Sequence, residues 1–142
     1  MSLQSEGKDL SKVFDPESVA IIGASADEQA ERSDGWVGRL QQFGYKGRLY
    51  PINPRASQIL GLKAYASILD VPEQVDYAIM VVRASFVPGL LRECVSKGVR
   101  VVHIYTAGFA DSVKEEGKRL QQELADIIKG SNTRPLRTCQ NL

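Results

Sequence analysis

The chain has 142 residues, of which 43% are hydrophobic and 25% are charged, and these values are typical of a folded domain rather than a disordered segment. This length suffices for one domain with a sizeable core and leaves no comfortable room for two. Eighteen Lys and Arg residues against 17 Asp and Glu residues leave a formal net charge of +1. The balance argues against a protein that binds nucleic acid through bulk charge and against a polybasic membrane anchor.

The lack of a recognisable membrane or secretion signal in the sequence, together with the use of cysteine, predicts a cytoplasmic protein. The sequence contains no run of eighteen apolar residues, as a transmembrane helix would need. The first twelve residues, MSLQSEGKDLSK, include acids and lack the apolar stretch of a signal peptide. Cys94 and Cys139 form neither a disulfide framework nor a CxxC motif, so we expect a reducing compartment.

Apolar runs predict four strands, at residues 18–23, 48–52, 76–82 and 99–105, and a fifth that begins at 134–136. The first and third runs are continuous, as in strands buried on both faces of a sheet. The fourth run is rich in β-branched residues, which favour strands.

Helical patterns separate these runs. A short helix is predicted over residues 34–43, ending at Gly44. A second helix has Ser85 as a candidate cap, Gly98 as its stop and an apolar face formed by Val87, Leu90, Leu91, Cys94 and Val95. A third pattern runs over residues 120–128, with Gly130 as its stop. Strands that alternate with helices at this spacing predict right-handed βαβ units, and hence an α/β, Rossmann-like, doubly wound fold with a mostly parallel sheet and helices on both faces.

In such a sheet, ligands bind beyond the carboxyl ends of the strands. Four loops are therefore candidates, and small, polar or glycine residues predominate in all four: Gly23-Ala24-Ser25, Asn53-Pro54-Arg55, Arg83-Ala84-Ser85-Phe86 and Thr106-Ala107-Gly108-Phe109. Residues of this kind let a ligand approach the backbone closely and leave amide N–H groups for phosphate oxygens.

The first loop disfavours NAD, because Gly23 is not followed by the further glycines of a GxGxxG fingerprint. No acid follows the second strand to bind a ribose 2′-hydroxyl. Arg55 stands there instead and suits a phosphate, either the 2′-phosphate of NADP or the 3′-phosphate of coenzyme A (CoA). The polar insert at residues 27–34 predicts a mobile loop over the site.

Several segments, in order along the chain, resemble the N-terminal CoA-binding domain of NDP-forming acyl-CoA synthetases, relatives of the succinyl-CoA synthetase α subunit. VFDPESVAIIGAS at 13–25 is similar to FxPxSVAVIGAS, and GYKGRLYPINPR at 44–55 follows GYxGxxYPVNP. GLKAYASI at 61–68 matches GxxxYxSL, VRASFVP at 82–88 resembles VPAPFVP, and TAGF at 106–109 matches SAGF.

This resemblance implies that the chain binds CoA. The turn after the first strand would receive a phosphate or the pyrophosphate at the following helix N-terminus, and Arg55 would lie near the CoA phosphates. The third loop would line the adenine and pantetheine path, and the fourth would border the thiol. The implied CoA-binding residues are Gly23, Ala24, Ser25, Asn53, Pro54, Arg55, Val82, Arg83, Ala84, Ser85, Phe86, Thr106, Ala107 and Gly108.

The resemblance also implies an organisation: an extension at 1–12, a CoA-binding domain at 13–136 and a tail at 137–142. Arg83-Ala84-Ser85 departs from the family's Pro-Ala-Pro, and Arg134 to Leu142 lack its GPNCxG turn. No catalytic residues and no metal site are predicted. We expect ligase and ATP-grasp domains elsewhere to hold the catalytic machinery, so the chain is either a domain of a longer synthetase or a shortened homologue. A homo-oligomer is allowed, because a domain cut from its neighbours exposes apolar surface.

Two other functions stay open from the sequence. One is an NADP- or nucleotide-binding Rossmann domain, and the other is a stand-alone CoA-binding regulatory module. Three residues are better explained by structure than by chemistry: His103 within a strand pattern, Cys94 on an apolar helix face and Trp36 packed on the core.

Overall fold

The computed structural model describes residues 15–27, 35–105 and 114–137. Within these ranges the strands are β1 (Ser18–Ile22), β2 (Arg48–Ile52), β3 (Gln58–Ile59), β4 (Leu62–Lys63), β5 (Tyr77–Met80), β6 (Val101–Ile104) and β7 (Arg134–Arg137). The helices are α1 (Trp36–Gln42), α2 (Val87–Lys97) and α3 (Lys114–Ile128), and 3-10 turns occupy Ile68–Asp70 and Ala84–Phe86. No helix in the described ranges is both long enough and apolar enough to cross a membrane.

Five strands form one sheet in the order β2-β1-β5-β6-β7, and every neighbouring pair is parallel. The chain steps outward from β1 to β2 and then returns past β1 to continue from β5 to β7. The direction of winding therefore reverses between β1 and β5, which is the switch point where open sheets of this type bind ligands. β3 and β4 form a separate antiparallel hairpin.

Both faces of the sheet are covered, because the central strands β1 and β5 contribute alternate side chains to two buried clusters. On one face, Ala20, Ala78 and Val102 pack with Leu91 of α2 and Leu124 of α3. On the other face, Val19, Ile21 and Ile79 pack with Val37 of α1 and Ile59 of the hairpin. This arrangement confirms the predicted doubly wound α/β fold.

Most predicted elements are confirmed, with shifted limits. β5 and β6 are shorter than predicted, and α3 begins at Lys114 rather than near residue 120. The prediction that Ser85 caps α2 was wrong, since Ala84–Phe86 form a 3-10 turn and Phe86 stands at the N-cap without a side-chain cap bond. Gly98 ends α2 in the left-handed conformation, as predicted. The hairpin was not predicted, because two-residue strands are too short to show periodicity.

The three residues expected to be structural have structural surroundings. Trp36 packs against the second cluster and meets Tyr105 edge to face, with ring centroids 5.5 Å apart. His103 is half-buried on β6, and its Nδ1 lies 3.3 Å from the hydroxyl oxygen of Tyr77. Cys94 is fully buried in the first cluster, and this burial raises the pKa of its thiol to about 12.

We predict that Cys94 resists alkylation until the domain unfolds. With a pKa of about 12, roughly one thiol in ten thousand is ionised at pH 8, and the thiolate is the reactive form. A Cys139→Ser variant leaves Cys94 as the only cysteine to be labelled by iodoacetamide. Labelling should be negligible in buffer and complete in denaturant, whereas rapid labelling of the native chain would contradict this burial.

Candidate functional site

The turn after β1 lies at the switch point, between the loops that follow β2 and β5. Its backbone is hydrogen-bonded on one side, because the N–H of Gly23 donates to the carbonyl of Ile52 at 3.1 Å. On the other side, the N–H of Val81 donates to the carbonyl of Ile22 at 2.8 Å. The carboxyl ends of three adjacent strands are thereby held at one edge of the sheet, here called the carboxyl edge.

Gly23 allows the loops after β1 and β5 to approach each other closely. Its φ is +89°, and a Cβ atom placed there would lie 2.2 Å from the carbonyl oxygen of Val81 and 3.0 Å from Cγ1 of Val82. A side chain is therefore excluded by both conformation and space. Gly23 itself is exposed, so its backbone borders the surface of the switch point.

Asn53 ties the loop after β2 to the turn after β1. Its Nδ2 donates to the carbonyl of Ala24 at 2.8 Å, and its Oδ1 accepts the N–H groups of Arg55 at 2.8 Å and Ala56 at 3.0 Å. The side-chain amide thus makes internal bonds with both its donor and its acceptor. Ala24 is 3% exposed and belongs to the core, so these two predicted site residues serve to shape the edge.

Two cations lie on the loops that flank this turn. Arg55 follows β2 and Arg83 follows β5, and both residues are exposed. Neither guanidinium has an ion pair or a side-chain hydrogen bond within the described part of the chain. An unpaired guanidinium beside exposed backbone suits a phosphate group, which it can bind through two parallel hydrogen bonds.

The loop after β5 adds an aromatic ring to the edge. The 3-10 turn Ala84–Phe86 closes with a hydrogen bond from the N–H of Phe86 to the carbonyl of Arg83 at 3.0 Å. Phe86 is 61% exposed, although it is a large apolar residue. Ser85 is exposed beside it, and Val82 is half-buried. Exposed aromatic rings at a ligand edge can stack on a planar base.

The remaining predicted residues differ in what the structure describes. The Ser25 hydroxyl accepts the N–H of Asp27 at 3.1 Å, and Pro54 is exposed. Thr106, Ala107 and Gly108 lie outside the described residues, as do residues 28–34 of the stretch at 27–34 that was expected to cover the site. The predicted phosphate position at a helix directly after Ser25 falls in that stretch as well.

Tyr65 supports the edge and was not singled out from the sequence. Its N–H donates to the carbonyl of Pro51, and its carbonyl accepts the N–H of Asn53, each at 2.9 Å. These bonds extend the pairing of β2 beyond Ile52 and hold Asn53 in position. In the sequence, Tyr65 is the tyrosine of the GxxxYxSL match. Its role is visible only in the structure, where the hairpin places it beside β2.

Comparison with known proteins identifies the family. The family described as "CoA binding domain" matches residues 17–139. The chain belongs to this family of CoA-binding domains. The resemblance drawn from the loop motifs is thereby confirmed.

The relatives are ligases much longer than this chain. The α subunit of acetate–CoA ligase [ADP-forming] I from Pyrococcus furiosus is 40% identical over 84% of this chain and 26% of its own length. A 4-hydroxybutyrate–CoA ligase [ADP-forming] from Nitrosopumilus maritimus is 38% identical over 86% of this chain and 17% of its own length. The chain therefore spans about a quarter or less of these relatives.

A solved structure shares the architecture. Acetyl-coenzyme A synthetase 1 of Candidatus Korarchaeum cryptofilum, in complex with phosphate and ADP, superposes with a TM-score of 0.78 at 34% identity. The match covers 91% of this chain and 27% of that one. A protein that is related to this chain in sequence therefore has the same fold.

We predict that Gly23→Ala destabilises the domain much more than Gly61→Ala. Both glycines have positive φ, at +89° and +81°, but a Cβ atom at Gly61 meets nothing within 4 Å. Gly61→Ala should cost only the backbone strain of about 1–2 kcal/mol. Gly23→Ala should add the overlap with the Val81 carbonyl, a further ~1–3 kcal/mol. Urea unfolding of the two variants measures the difference, and equal losses would contradict the close approach.

Proposed function

We propose that this domain binds CoA across its carboxyl edge and works as part of an ADP-forming acyl-CoA ligase. One observation carries the proposal: in a chain of the CoA-binding family, two arginines without an ion pair to any described residue flank the exposed turn at the switch point. CoA carries a 3′-phosphate and a pyrophosphate, and it therefore needs cations and backbone N–H groups close together.

Each part of CoA has a matching group at this edge. Arg55 would bind the 3′-phosphate. Arg83 would bind the pyrophosphate as a second cationic group. The exposed backbone at Gly23 and Ser25 would approach the pyrophosphate, since no side chain stands between. Phe86, exposed on the neighbouring loop, would lie against the adenine. This assignment uses loops alone and leaves both faces of the sheet to the core.

In the complete ligase, this domain would hold CoA while the reaction proceeds at groups supplied by other domains. The thiol sulfur would form a bond to the carbonyl carbon of an acyl phosphate, the phosphate would leave, and the thiol proton would be lost. Ligase and ATP-grasp domains, as in the family that the sequence resembles, would make that acyl phosphate. The described residues of this chain would contribute binding and orientation of CoA, which lowers the entropic cost of the attack.

The acyl group would be selected outside this domain. Relatives of similar identity to this chain are named for different acids, acetate at 40% and 4-hydroxybutyrate at 38%. The matched region is 26% of the first relative and 17% of the second. We therefore expect the matched region to bind the substrate that the ligases share, CoA, rather than the acid.

Isothermal calorimetry with CoA, dephospho-CoA and NADP tests the proposal. The wild-type chain should bind CoA, bind dephospho-CoA more weakly, and bind NADP least. Tight binding of NADP without heat from CoA would instead indicate the nucleotide-binding alternative. The absence of binding to all three ligands would contradict the proposal that the isolated domain holds CoA.

We predict that Arg55→Ala weakens CoA binding about tenfold or more and leaves dephospho-CoA binding nearly unchanged. A charge-assisted hydrogen bond to a phosphate contributes about 1.5–3 kcal/mol, and dephospho-CoA lacks the phosphate concerned. Arg119→Ala, which removes an exposed arginine from α3, is the matched control and should leave both affinities unchanged. An equal loss for both ligands would move the 3′-phosphate away from Arg55.

Arg83→Ala is expected to give the opposite pattern. If Arg83 binds the pyrophosphate, which both ligands carry, the affinities for CoA and dephospho-CoA should fall by the same factor, roughly tenfold. The measurement is the same calorimetric series. Unchanged or tighter binding of both ligands would show that Arg83 does not contact phosphate.

A further inference from the structure

A cavity lies at the end of the sheet opposite the carboxyl edge, where the strands begin. It has a volume of about 800 Å³ and is bounded by the first residues of β6 and β7 and by the C-terminal ends of α2 and α3. This volume is within the range of small-molecule sites. Strands of four or five residues separate it from the carboxyl edge by roughly 15 Å, so it is distinct from the proposed CoA site.

The charges that line this cavity have one sign. Arg100, Lys129 and Arg134 line it, and none of the described lining residues is Asp or Glu. Asp76 precedes β5 at the same end of the sheet but is not a lining residue, and its carboxylate accepts the N–H of Glu17 at 3.0 Å. The cavity is therefore a local concentration of positive charge in a chain with a net charge of only +1.

One of these cations has an unused hydrogen-bond donor. The Nη2 atom of Arg134 is buried and has no hydrogen-bond partner among the residues that the structure describes. Leaving a buried charged donor unpaired is costly, and such groups usually have a ligand, an ion or water. Elsewhere at this end of the sheet, Arg48 forms an ion pair with Glu73. Arg134 has no such pair with a described carboxylate.

Three carbonyl groups at this end of the sheet, which would otherwise repel an anion, already accept side-chain hydrogen bonds. Gln74 donates to the Gly98 carbonyl at 3.1 Å, Thr133 to the Val99 carbonyl at 2.7 Å and Ser131 to the Ile128 carbonyl at 2.7 Å. These bonds offset the partial negative charge of the two helix C-termini.

The cavity also has an apolar portion. Val95, Val99 and Ile127 are among its lining residues. A bare inorganic ion would leave that surface in contact with water, whereas an anion on a carbon framework would cover it. We infer that this cavity is a binding site for a small organic anion whose phosphate or carboxylate groups pair with Lys129 and Arg134, with Arg100 also among the lining residues.

The inference is tested by NMR titration of the full 15N-labelled chain at constant ionic strength. Glycerol 2-phosphate is the phosphate probe and tricarballylate is the carboxylate probe. Saturable shifts of the Gly98, Ser131 and Thr133 amides are expected with at least one probe, and the stronger probe identifies the preferred group. Shifts at Gly23 and Arg55 report the carboxyl edge separately, so the CoA proposal is judged independently.

Variants distinguish a built site from general attraction. Lys129→Gln and Arg134→Gln should each lower the affinity for the more tightly bound probe about tenfold, as measured from the shifts of the cavity amides. Lys118→Gln removes one exposed positive charge from α3 outside the lining and should leave the affinity unchanged. Because Lys129 is exposed, its variant should fold even if Arg134→Gln does not. Non-saturating shifts with both probes, or equal effects of Lys118→Gln and Lys129→Gln, would overturn the inference.

Discussion

The turn at Gly23 is the constraint on which the carboxyl edge depends. The chain leaves the central strand β1 with a left-handed residue whose α-carbon faces the carbonyl of Val81, and no side chain fits between them. This contact brings the loops after β1 and β5 together at the point where the winding of the sheet reverses. A larger residue would have to separate these loops, and the backbone would then no longer be available to a ligand at the switch point.

The rest of the edge is organised around that turn by hydrogen bonds. Asn53 joins the loop after β2 to the carbonyl of Ala24, and Tyr65 holds Asn53 from the other side. The framework is thus made by buried or half-buried groups, whereas the two arginines and Phe86 lie on the exposed part of the same loops. Binding groups on a rigid frame can differ between relatives without disturbing the core, because the sheet faces are filled separately.

The two ends of the sheet offer different surroundings to an anion. At the carboxyl edge, loop backbone and two arginines flank the turn after β1. At the other end, two helices terminate, and their exposed carbonyls would favour cations. Three of the carbonyls at that end already accept side-chain donors, and Arg100, Lys129 and Arg134 add positive charge there. The buried Nη2 atom of Arg134, which has no hydrogen-bond partner among the described residues, distinguishes the cavity at that end from an ordinary basic surface.

Much of the architecture was predictable from local patterns. Continuous apolar runs identified the buried strands, the spacing in α2 identified its inner face, and Gly98 marked its end, because these features depend on neighbours along the chain. Gly23, Asn53 and Arg55 were nominated from their positions after predicted strands. The ordered loop motifs carried the resemblance to the CoA-binding family, which the comparisons confirm.

Features that depend on contacts between distant parts of the chain were decided by the tertiary structure. The capping role expected of Ser85 is absent because a 3-10 turn directs the chain into α2 through Phe86. Asn53 proved to be a framework residue because its partner, Ala24, is brought to it across the β1–β2 pair. The cavity brings Arg100 close to Lys129 and Arg134, which lie much further along the chain, because the parallel strands β6 and β7 align their first residues at one end. The sequence alone determined most of the helices and strands and the family, whereas packing determined which side chains are used internally and which remain for a ligand.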